Sequence, residues 1–109
     1  MKKIKLNKLQ NRTLALFQVL ARHEGSASID PETGEATIAQ MPRPHGDHVH
    51  VGEFVVSGRD ASGFANQAVW VALERKGLAK SNFPMSITLT REGLEFDTGY
   101  GNVLTKSDH

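Results

Sequence analysis

The sequence predicts an α+β domain, and three observations predict it. Between residues 7 and 23 apolar side chains recur at helical spacing. Residues 27–38 hold two short extended segments joined by turn-forming residues. From Phe64 to Phe96 a second helical pattern stops at a glycine and gives way to two more extended segments. The expected order is a first helix, a β-hairpin insertion, an extended segment, a second major helix and a closing hairpin. With 109 residues the chain reads as one domain over 1–109, with flexible ends at about 1–5 and 98–109. A domain of that size removes roughly two-thirds of its unfolded surface from water, so it needs no covalent staple.

Asn7 followed by Gln10 predicts the start of the first helix. The Asn side chain can accept from an early backbone N–H while the Gln reaches back to the cap. Leu9, Thr13, Leu16, Phe17 and Leu20 then form a stripe that Leu14 and Val19 widen. The helix should end near His23, where Gly25 can take the positive φ of a terminating residue. In the next segment Pro31 presets a turn, Asp30 can bond forward to the backbone, and Gly34 can close the turn in a left-handed conformation. Pro42 and Pro44 interrupt regular structure. A second extended run, His48 to Val56, has the β-branched content of one strand.

The second major helix is expected to begin at Asp60 or Ser62, both competent caps, and to run to Lys76, with Gly77 ending it. Its inward stripe reads as Ala65, Ala68, Val69, Ala72 and Leu73. Trp70 lies beside that stripe and reads as a core or subunit-interface residue. Two strands follow, on either side of Asn82-Phe83-Pro84. Beyond Asp97 the glycines and the lack of a period predict irregular chain, with Tyr100 folding back on the core.

The run Leu73-Glu74-Arg75-Lys76-Gly77-Leu78, then a hairpin, then Ile87-Thr88-Leu89-Thr90-Arg91-Glu92-Gly93, resembles the winged helix-turn-helix superfamily over about residues 64–96. The resemblance implies a winged-helix-like fold with its β-hairpin insertion between the first and second major helices. It also implies a DNA-binding or transcription-regulator-like role with double-stranded DNA as partner. A short helix and a tight turn usually precede the recognition helix, whereas residues 53–63 here read as extended and then turn-rich. Either the second helix is reduced to a turn, or the chain is an elaborated relative with a β insertion at 26–56. The residues that would meet DNA are Asn66, Gln67, Arg75, Lys76, Lys80 and Asn82. Asn and Gln can each make two hydrogen bonds to adenine, and Arg can do so with guanine. Read without the resemblance, these are ordinary solvated polar residues, Glu74 beside them would repel phosphate, and the domain would serve as a protein-interaction module or homo-oligomer.

One constellation points to different chemistry. His48 and His50, two apart on an extended segment, project from one face with backbones about 7 Å apart. His45 or Asp47 could supply a third ligand, and zinc with a water in the remaining position is the metal such a set would take. The pattern is similar to the His-x-His of cupins, but Glu53 follows His50 too closely. The alternative is a solvated histidine-rich loop, with no cofactor.

Composition narrows the classes further. There is no cysteine, so disulfides and thiolate metal sites are excluded. Charge is uneven: residues 1–12 carry Lys2, Lys3, Lys5, Lys8 and Arg12 without an acid, residues 13–60 are acidic in balance, and residues 61–109 are neutral. A DNA binder usually concentrates basic groups around its recognition element, and here they concentrate at the N-terminus. No Gly-x-Ser-x-Gly elbow, phosphate-cradling glycine loop or acid/base pair is present, which predicts a protein that is not an enzyme. No apolar run reaches the ~18 residues of a membrane span, and the expected location is cytoplasmic.

Overall fold

The computed structural model describes residues 4–23, 25–39, 41–52, 54–100 and 105–106. The first helix, α1 (Lys8–Arg22), starts at the predicted capping box. The Asn7 side chain accepts from the Gln10 N–H at 2.8 Å, and the Gln10 side chain accepts from the Asn7 N–H at 3.0 Å. These two bonds satisfy donors that a helix start would otherwise leave orphaned. His23 ends the helix and Gly25 has a φ of +86°, as the sequence predicts. Leu14, Leu16, Phe17 and Leu20 are buried, so the predicted stripe faces the core.

Two antiparallel sheets follow. The first has the order β1 (Ser28–Ile29), β2 (Ala36–Ile38), β7 (Ser86–Leu89), β6 (Ala79–Asn82). The β1–β2 hairpin is the one predicted from Asp30 to Gly34, whose φ is +77°. The β6–β7 hairpin also forms where expected. The second sheet has the order β3 (Pro44–His45), β4 (His48–Val51), β5 (Phe54–Ser57), β8 (Thr105–Lys106). The run read as one strand from His48 to Val56 is therefore two strands. Gly52, with a φ of +59°, turns the chain between them, and a side chain there would meet Val19 Cγ1 at 2.9 Å. Backbone conformation and close approach to α1 both demand glycine at that point.

The second α-helix corrects the sequence reading. A 3-10 turn occupies Ser62–Ala65, and α2 runs only from Gln67 to Arg75, with Asn66 as its cap. Ala65 and Ala68 are exposed and Ala72 is half-buried, while Val69, Trp70 and Leu73 are buried. The physical reason is the indole. Trp70 is wholly buried, stacks edge-on against Phe17 and Phe83 with ring centres 5.6 and 4.8 Å away, and donates from Nε1 to the Gly63 carbonyl. Burying so large a ring outweighs any arrangement that buries alanine methyls. Trp70 is thus a core residue, one of the two predicted roles.

The end of α2 is a Schellman motif: Gly77 N–H bonds the Glu74 carbonyl and Leu78 N–H bonds the Leu73 carbonyl, with Gly77 at a φ of +75°. Leu78 then starts the turn into β6. After β7, Thr90 caps the short helix α3 (Arg91–Glu95) by accepting from Gly93 N–H, and its hydroxyl donates to the Gly77 carbonyl at 2.7 Å. Gln18 reaches from α1 to bond the carbonyls of Gly93 and Phe96, both at 2.8 Å. Arg22 reaches the Leu94 carbonyl. These bonds fasten α3 to α1.

Tyr100 folds back as expected, its ring 5.8 Å from the Arg12 guanidinium. The chain beyond it is not wholly irregular, since β8 pairs with Phe54 and Val55. Of the expected flexible ends, residues 1–3, 101–104 and 107–109 lie outside the described residues. Among the described residues, the result is a compact α+β domain of three α-helices and antiparallel sheets around Phe17, Trp70, Leu73, Ile87 and Leu89. Among the described residues, no helix is long and apolar enough to cross a membrane.

Candidate nucleic-acid interface

The site begins with the short α2 and the hairpin that follows it directly. Nine helical residues at 1.5 Å each give a rod about 13 Å long, with Gln67 at one end and Arg75 and Lys76 at the other. Gln67, Arg75 and Lys76 are all exposed. No ion pair engages Arg75 or Lys76 among the described residues. Among the described residues, none of these three side chains donates a hydrogen bond to another group of the chain.

Asn66, Lys80 and Asn82 are placed differently. Asn66 is half-buried, and its side-chain oxygen accepts from Ala68 N–H at 3.1 Å. The sequence reading put Asn66 among the exposed face of a longer helix; with the helix starting only at Gln67, the Asn66 side-chain oxygen is committed to the cap. Lys80 and Asn82 share the outer face of β6. Lys80 Nζ is 2.9 Å from Glu35 Oε1, so its charge is already paired, and Asn82 Nδ2 donates to Ser86 Oγ. The predicted residues are therefore gathered on one helix–hairpin unit but not all left available.

Some residues of this surface escaped the sequence reading. Register aligns Ser28, Thr37, Thr88 and Lys80 in one row across the first sheet. Thr37 and Thr88 bond each other through their hydroxyls at 2.9 Å. Period-two alternation of β7, with Ile87 and Leu89 buried, was the available signal for Thr88. At the hairpin turn Met85 is 69% exposed, which makes it the most exposed large apolar side chain among the described residues. Glu74 is exposed, as its place on the helix predicts. Its carboxylate also accepts from Ser81 N–H at 2.8 Å and so ties α2 to β6.

Elsewhere, Arg12 pairs with Asp60 at 3.1 Å, which ties one basic group of the N-terminal cluster to the loop before the 3-10 turn. The histidines lie on the second sheet. His48 and His50 are half-buried on one face of β4, as their spacing predicts, with Val49 and Val51 buried on the other. Asp47 Oδ1 lies 3.5 Å from His48 Nδ1. Residue 45 pairs with His48 in the β3–β4 register, while its side chain lies outside the described atoms. Among the described residues, no group of three or more His, Asp or Glu side chains is placed to hold one metal ion.

Comparison of the chain with models of protein families, with curated proteins and with solved structures returns no match.

Proposed function

We propose that the chain is a winged-helix-like domain that binds double-stranded DNA, with α2 entering a groove and the β6–β7 hairpin lying beside it as the wing. The observation that carries this reading is the connection of these parts. An exposed-ended helix leads through a Schellman turn straight into a hairpin, and the earlier strand β2 closes that hairpin's inner side to give the order β2–β7–β6. The 3-10 turn at Ser62–Ala65 stands where a second helix would precede the recognition helix, and the β3–β5 strands form the insertion. A helix of this width fits the major groove, where Gln67 can pair with adenine and Arg75 with guanine or phosphate. Fold alone does not carry function, so the reading depends on these side chains meeting DNA.

The test is a titration of fluorescent duplex DNA against the full chain at several salt concentrations. Binding should weaken linearly in log salt, with a slope near −0.9 per phosphate contact. Changing Arg75 and Lys76 together to Ala should flatten that slope by about 2 and weaken affinity at every sequence. Absence of any binding at micromolar protein and low salt would remove the proposal.

A second reading is favoured by one specific feature of the same surface. Lys80 is neutralised by Glu35, while Met85 stands exposed at the hairpin turn. A surface so arranged suits a protein partner, with the methionine as an adaptable apolar contact. Under this reading duplex DNA fails to bind even at low salt, and Met85→Lys abolishes association with the partner.

A further inference from the structure

The β3–β4 hairpin lies on the second sheet, away in sequence from α2 and its wing. Its strand β4 is interior, paired with β3 on one side and β5 on the other. Val49 and Val51 anchor that strand in the core, which holds the opposite face, and the two histidines on it, in a fixed orientation. The turn is two residues long, with Gly46 at a φ of +64°, and Asp47 is tied down through its carbonyl by Gly58 N–H at 2.7 Å. The side chains of His48 and His50 are therefore presented by rigid backbone rather than by a loop.

Their mutual geometry is specific. The two imidazole rings are 5.0 Å apart between centres and nearly perpendicular, at 79°. Two imidazoles that share one tetrahedral ion, at a metal–nitrogen distance of about 2.0–2.1 Å, place their ring centres about 5 Å apart. The pair thus already stands at the separation that joint coordination requires. The Asp47 carboxylate beside His48 Nδ1 is of the kind that orients a ligating imidazole by accepting its other N–H.

We propose that His48 and His50 form a two-imidazole site for a divalent transition-metal ion on the outer face of β4, with solvent filling the remaining positions. Imidazole donors suit zinc, copper and nickel, and they do not suit magnesium or calcium. The site is independent of DNA binding, since none of its residues belongs to α2 or to the β6–β7 hairpin.

The experiment titrates zinc alone into the metal-free full chain, followed by calorimetry and by the imidazole ring resonances. One equivalent should bind, and the ring signals of His48 and His50 should shift together. His48→Ala and His50→Ala should each weaken binding by at least about tenfold, because even the groups that merely support a ligating histidine are worth that much. Absence of zinc binding would overturn the proposal. So would binding unaltered by both substitutions, or ring shifts confined to other histidines; the ring shifts are read on the unaltered chain, so they decide the matter even where a variant fails to fold.

Discussion

Replacing Gly93 by Ala sets helix propensity against packing and so tests the architecture by sign. Gly93 lies within α3 and has no positive φ, so propensity alone would have Ala stabilise the helix by about 1 kcal/mol. A methyl group there would overlap the Leu78 carbonyl oxygen and stand 2.9 Å from its carbon, where ordinary carbon contacts are about 3.5–4.0 Å. The obstacle is backbone, fixed by the Schellman turn before β6 and by the Thr90 N–H bond to the same Leu78 oxygen. Relief requires α3 to move away, which costs about 1–3 kcal/mol of strain. That movement also pulls on the Gln18 bonds to Gly93 and Phe96, each worth about 1 kcal/mol. Net destabilisation of about 2–4 kcal/mol follows, which for a chain of this size lowers the melting temperature by about 10–25 °C. Thermal denaturation followed by circular dichroism measures it, with Ala68→Gly at an exposed position of α2 as the propensity control, expected to cost about 1 kcal/mol. A Gly93→Ala variant that melts at or above the parent temperature would refute the placement of α3 against the α2–β6 connection.

Two further outcomes follow from the same packing. Leu73→Ala should cost about 2–5 kcal/mol in chemical denaturation, since it empties a fully buried position of α2, and a near-neutral result would show that another face of the helix is buried. Lys80→Ala should change stability by less than about 1 kcal/mol, because its partner Glu35 is met at the surface, yet it should weaken duplex binding in the titration described above, because it leaves the Glu35 carboxylate unneutralised on the hairpin face. If stability and binding fall together, Lys80 acts on the fold and not on DNA.

Elements specified by short-range chemistry were legible in the sequence. The capping box at Asn7 and Gln10, the turn from Asp30 to Gly34, and the stop at Gly77 each depend on residues within four or five positions of one another. The start of α2 was not legible in this way. Alanines at 65, 68 and 72 mimic an inward stripe, but a methyl carries little burial energy, and the position of Trp70 against Phe17 and Phe83 decides the orientation from across the fold. The break at Gly52 carried a readable signal, since glycine inside a strand pattern marks a bulge or a close approach. What it approaches, Val19 of α1, is a long-range fact. The clamp made by Gln18 spans more than seventy residues and leaves no local trace. For the candidate interface the exposed C-terminal end of α2 was readable from its terminating glycine, whereas the commitments of Asn66, Glu74 and Lys80 depended on a helix boundary and on partners brought in by folding.

The bond from Glu74 to the Ser81 N–H bears on how this protein would tolerate redesign. In the first sheet β6 is a terminal strand, and Ser81 turns its N–H away from β7, toward α2. An outward backbone donor on such a strand invites a second chain to add itself to the sheet, the usual beginning of aggregation. The α2 carboxylate occupies that donor. An engineer seeking tighter nucleic-acid binding would be drawn to exchange this acid for a lysine, since it dilutes the positive end of the helix. The exchange would unseal the sheet at the same stroke, so added charge would come with a loss of colloidal stability.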